Sequence, residues 1–94
     1  VDRQKTFEDL HDKKKLSYDF YLKDFNLLIE FQGAYHDGSL IGKMQTEDEF
    51  KYQVKHDNMK RNYAKEHNYI LKEIWYYDKR TIENILEEIF KEVN

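Results

Sequence analysis

The sequence predicts a small domain of the α/β (α+β) class, a mixed β-sheet core with a β-hairpin at its centre and helices flanking it. Three observations predict this. Two strand-like apolar runs lie back to back between about 17 and 33, two later segments carry the spacing of amphipathic helices, and an apolar run rich in aromatics separates those helices.

Upstream, VDRQKTFEDLHDKKK mixes polarities, leaves room for one short strand, and ends in Lys13, Lys14 and Lys15, which read as a solvated turn. From 17 to 33 Tyr, Phe, Leu and Ile dominate, and Lys23-Asp24-Phe25 reads as a tight turn between two antiparallel strands. With the turn centred there, Asp19 falls opposite Glu30. Alternation puts Asp19 on one side with Tyr21, and Leu28 on one side with Glu30 and Gln32. All three glycines lie between Gly33 and Gly42 and there is no proline, so 33–46 is the irregular segment and the expected functional loop.

The stretch EDEFKYQVKHDNMKRNYAKE, 47–66, reads as a helix. Its apolar stripe of Phe50, Val54 and Ala64 has Asp57 in the middle, and His56 lies about 100° round, nearer Tyr52 and Tyr63. NYILKEIWYY, Asn68 to Tyr77, reads as another strand. RTIENILEEIFKEV then repeats Ile82, Ile85, Leu86, Ile89 and Val93 at helical spacing, with Asp78 or Thr81 as cap.

Ninety-four residues suffice for one core, and an aromatic content of 16% sets the chain apart from disordered sequences. Cysteine is absent, which excludes a disulfide framework and a thiolate zinc site and suits a reducing cytoplasm. Any metal would be held by oxygen or imidazole. No apolar run approaches the roughly 20 residues of a membrane-spanning helix, and no signal segment opens the chain, so an intracellular location is expected. The net charge of −3 offers no basic surplus for gripping phosphates. Because the chain starts at Val1 rather than Met, the expectation is a single domain, 1–94, cut from a longer protein whose further binding region lies upstream.

Two carboxylates opposed on a hairpin repel each other unless a cation neutralises them. Mg²⁺ takes oxygen ligands, keeps several waters and is usually bound by one or two carboxylates, so Asp19 and Glu30, with the Phe31 carbonyl between them, form a candidate half-shell. The plainer alternative is an edge acid in a salt bridge. Gln32 points the way Glu30 does, His36 follows in a glycine-flanked loop, and Asp57 interrupts an apolar stripe. Their convergence on one end of the sheet favours a site; for Asp57 the alternative is an ion pair with Lys60 or Arg61. His11 reads as surface, His67 as a helix-end cation, and Trp75 with its tyrosines as core or sheet surface rather than a base-stacking platform.

YDFYLKDFNLLIEFQGAYH, followed by HDNMKRNYAKEHNYILKEIWY, resembles the PD-(D/E)XK nuclease superfamily, whose fold is restriction-endonuclease-like. Within it the closest likeness is to the branch of very-short-patch repair endonucleases and phage or intron-encoded homing endonucleases, over roughly residues 5 to 90. The resemblance implies a metal-dependent endonuclease that hydrolyses double-stranded DNA with Mg²⁺ or Mn²⁺ in a phage or bacterial host cell, its DNA-binding region upstream. Asp19 would be the first metal-binding acid, Glu30 the second, and Phe31 would lend its carbonyl. Gln32 would stand where a lysine usually orients the attacking water. His36 would assist proton transfer, Asp57 would orient it, and His56 is a weaker candidate for the same region. Tyr18 stands in place of the nominal proline, and a glutamate on an upstream helix has no counterpart unless Glu8 serves. Cutting both strands often takes two sites, so a homodimer is one expected assembly, although no self-complementary stripe requires it. The rival reading is a catalytically silent copy of the fold that binds DNA or a partner, for which Gln32 and the acidic balance speak.

Overall fold

The computed structural model describes residues 2–93. Val1, Asn94 and the side chain of Val93, the last position of the second helical stripe, lie outside the described residues. The chain forms a four-stranded mixed sheet and two helices. The strands β1 (Asp2–His11), β2 (Lys15–Leu22), β3 (Leu27–Gln32) and β4 (Ile70–Trp75) lie side by side in chain order. The first two pairs are antiparallel, and β3 and β4 run parallel. Between β3 and β4 comes helix α1 (Glu47–Glu66), and helix α2 (Ile82–Val93) closes the chain.

Alternation along β3 decides where each helix lies. Leu28 packs in a cluster with Tyr63 and Ala64 of α1, whereas its neighbours Leu27 and Ile29 pack with Ile85 and Ile89 of α2. Successive strand residues point to opposite faces, so the helices cover opposite faces of the sheet and β3 is buried between them. Leu27 and Leu28 are fully buried, each worth roughly 1.5–3 kcal/mol of burial. Glu30 and Gln32 follow Leu28 in parity, which directs two polar side chains under α1.

Two asparagines set the parallel register. Asn26 and Asn68 both adopt left-handed backbone, φ 53° and 62°, which asparagine tolerates better than most residues. The Asn26 side chain donates to the Asn68 carbonyl at 2.7 Å, and Ile70 N–H donates to the Asn26 carbonyl at 2.9 Å. Leu27 is thereby paired with Ile70, and the same register sets Glu30 beside Glu73. Sliding β4 by one residue would turn Glu73 to the other face, away from Glu30.

The helix bounds follow from local chemistry. Thr46 accepts from Glu49 N–H while the Glu49 carboxylate accepts from Thr46 N–H, a capping box that starts α1 where the sequence placed it. Thr81 Oγ1 accepts from Asn84 N–H at 3.2 Å and caps α2, while Asp78 is engaged by Arg80 instead. Segment 33–46 is irregular as expected, a 3-10 turn at Ala34–His36 followed by turns in which Gly38 and Gly42 take φ of 84° and 81°.

One expectation needs correction. The opening segment is no short strand but a ten-residue edge strand, β1. Only Leu10 of it is buried, and edge strands are commonly charged because their open side faces water. Its alternation is also broken. Pairing with β2 skips Gln4, at φ 50°, and opposite it the pattern of β2 inverts at Asp19: Tyr18 packs in the α1 cluster and Phe20 in the α2 cluster.

Candidate functional site

The site is built where β2, β3 and β4 pass beneath the middle of α1. Backbone pairing of β2 with β3 runs from Leu22↔Leu27 to Phe20↔Ile29, and one further step sets Asp19 across from Glu30. There side chains replace the ladder. Glu30 Oε1 accepts from Asp19 N–H at 2.8 Å, and Asp19 Oδ2 accepts from Phe31 N–H at 2.7 Å. Each carboxylate is thus pinned to the opposite strand, and the two are held together despite like charge.

Helix α1 supplies the compensation. Lys60 Nζ donates to Glu30 Oε2 at 2.8 Å with both side chains largely buried. The next residue, Arg61, grips Glu73 through Nε at 2.7 Å and Nη2 at 3.2 Å. Asp19, Glu30 and Glu73 therefore stand in a row on three neighbouring strands, which lie about 4.8 Å apart, and are answered by two consecutive cations. Burial pushes the Glu30 carboxyl above the ordinary carboxylate range, while Lys60 pulls it back and Asp19 adds to the rise. The position of Lys60 is itself fixed: the buried Tyr18 hydroxyl donates to the Lys60 carbonyl at 2.7 Å.

Gln32 is 2% exposed, and its Nε2 donates to Glu73 Oε1 at 3.2 Å. Its Oε1 is buried without a hydrogen-bond partner, which marks a place for a donor such as water. About one helical turn from Lys60 sits the fourth element. Asp57, 2% exposed, holds His36 Nδ1 at 2.8 Å through Oδ2 and Gln53 Nε2 at 3.3 Å through Oδ1. An ionised carboxylate only accepts, so the proton of that contact sits on Nδ1, and Nε2 makes no hydrogen bond to the described residues.

Of the residues singled out in the sequence, the structure joins Asp19 to Glu30 and His36 to Asp57. It links Gln32 to the row through Glu73. Phe31 contributes its N–H to Asp19, and its ring, 41% exposed, meets Phe20 edge-on. His56 does not join them. Its Nε2 lies 3.0 Å from Asp12 in the β1–β2 turn, which Lys55 also reaches, and its ring packs on Tyr52. The pairing of Asp57 with Lys60 or Arg61 is not made either, because each of those cations has its own strand carboxylate. Lys60, Arg61 and Glu73 were missed as site residues. Their signal was the i, i+3, i+4 spacing of Asp57, Lys60 and Arg61, which puts all three on one helix face.

Among the described residues no three of His, Cys, Asp and Glu converge as a ready metal cage. The chemistry of the donors still fits a hard divalent cation that keeps most of its waters: two adjoining carboxylates, with Asp19 Oδ1 free of hydrogen bonds to the described residues. No family model, curated protein or solved structure matches the chain. No described helix is long and apolar enough to cross a membrane.

Proposed function

We propose that this domain is the catalytic part of a divalent-metal-dependent DNA endonuclease of the PD-(D/E)XK type, akin to the very-short-patch repair and homing endonucleases. The supporting observation is the carboxylate row. Three acids on adjacent strands meet two cations of α1, and the remaining negative charge lies beside Asp19, where an oxygen is free.

Asp19 and Glu30 would hold Mg²⁺ or Mn²⁺, which supplies charge stabilisation at the phosphoryl oxygens and a more acidic water. Everything else comes from the chain. Asp57 fixes the ring of His36 and its tautomer, so Nε2 is presented to take a proton from the attacking water. Gln32 Oε1, buried and unpaired, can accept from a water and orient it. The substrate on this reading is double-stranded DNA in the cytoplasm of a bacterial or phage-infected cell, and a homodimer would supply a second site for the other strand.

The test is cleavage of supercoiled plasmid by the intact chain in Mg²⁺, Mn²⁺ or EDTA. Nicking that needs the metal supports the proposal. No cleavage on varied DNA, with no metal-dependent rise in melting temperature, would move the assignment to a silent binding module. That second reading draws on Gln32 and on Lys60, which already neutralises Glu30 without a metal.

His36→Ala is expected to slow cleavage about 100-fold while metal-induced stabilisation persists. Asp57→Asn should lose much of the same factor, since an amide can donate to Nδ1 and favour the wrong tautomer. A wild-type rate in His36→Ala would remove the histidine from the mechanism.

A further inference from the structure

We infer that Lys60 is a resident counter-ion for Glu30 that a divalent cation displaces, so that metal arrival and release of the Lys60 ammonium are a single event. This rests on the nuclease reading of the same site. Glu30 Oε1 is committed to Asp19 N–H, a bond between strands, and Oε2 is committed to Lys60 at 2.8 Å. The oxygen that can change partner without parting the strands is Oε2. An ammonium and a dication on one carboxylate repel strongly where water is scarce, and the two side chains are only 16% and 5% exposed.

The surroundings let the ammonium leave while the helix stays. Tyr18 holds the Lys60 carbonyl at 2.7 Å, so the backbone is anchored, and the lysine stem carries four rotatable bonds. In the bound position Nζ also lies 5.9 Å from the Tyr18 ring. Released, Lys60 faces the anion that enters beside the metal, a DNA phosphate. The carboxylate meanwhile passes from one cation to another and is never left buried alone.

Two measurements test this without cleavage. In the wild-type chain, modification of Lys60 by an amine reagent, read by peptide mass spectrometry, should rise several-fold on adding Mn²⁺, while exposed Lys13 stays constant. In calorimetric titrations in alkaline buffer, Lys60→Gln should bind Mn²⁺ about tenfold more tightly than wild type, about 1.4 kcal/mol, because nothing has to be displaced. Unchanged labelling with equal affinities would overturn the displacement and leave the metal site and the nuclease reading standing. Labelling of wild type also decides the matter should the variant fold poorly. Absence of Mn²⁺ binding to both proteins would overturn the nuclease reading and this inference together.

Discussion

Asp19→Asn is expected to reduce metal-dependent cleavage by about 1,000-fold or more, a loss of roughly 4 kcal/mol of transition-state stabilisation, while melting within a few degrees of wild type. The asparagine oxygen can still accept from Phe31 N–H, which Asp19 Oδ2 holds at 2.7 Å. What disappears is charge, and with it the one carboxylate of the row that has no cation of its own. Asp19→Ala should lose the same activity and, in addition, about 1 kcal/mol of stability for the strand-to-strand bond. The pair separates chemistry from architecture. Single-turnover cleavage at saturating Mg²⁺, beside thermal melts, gives both numbers, and an Asp19→Asn protein cutting at the wild-type rate would end the proposal that Asp19 is a metal ligand.

Lys60→Met is expected to cost about 3 kcal/mol of stability at neutral pH without metal. It leaves Glu30, 4% exposed, beside Asp19 with its cation gone. The pH dependence has a definite sign. Glu30 keeps its proton to higher pH folded than unfolded, so the folded state binds more protons in that window, and stability falls as pH rises through the folded pKa. In the wild type Lys60 opposes the effect of burial and limits that fall. In Lys60→Met the folded pKa moves further up, so the fall should be steeper and extend to higher pH, and most of the lost stability should return on acidification. Urea unfolding across a pH series reads this directly. A Lys60→Met protein as stable as wild type at neutral pH would show that the ion pair does not carry the carboxylate.

Much of the fold was legible because it is written locally. The capping box of Thr46 and Glu49 and the Asp57-interrupted stripe give α1 its limits, and the turn at Lys23–Phe25 brings Asp19 to Glu30. The first strand was obscured for physical reasons: it is a charged edge, and Gln4 and Asp19 invert the alternation that would announce it. In the site, the identities of Asp19, Glu30, Gln32, His36 and Asp57 stood out as polar residues in apolar or glycine-flanked settings. The cations of α1 and the acid of β4 that join them did not. That Lys60 chooses Glu30, and Arg61 chooses Glu73, depends on the parallel register that Asn26 and Asn68 impose across some forty residues of chain. His56, one residue from Asp57, turns to Asp12 because consecutive helix positions point about 100° apart.

The parallel pairing of β3 with β4 also bears on the order of assembly. The hairpins of β1, β2 and β3 join residues close in sequence and can form within microseconds, whereas Leu27 meets Ile70 only after a long loop closes and α1 has formed inside it. The ties of the site span 30 residues for Glu30 with Lys60, 41 for Gln32 with Glu73 and 21 for His36 with Asp57. The hairpin alone carries Asp19 and Glu30, whereas Lys60, Glu73 and Asp57 join the site through contacts of long sequence separation. The full set of side-chain ties is thus a property of the completed topology, which the first three strands alone cannot assemble.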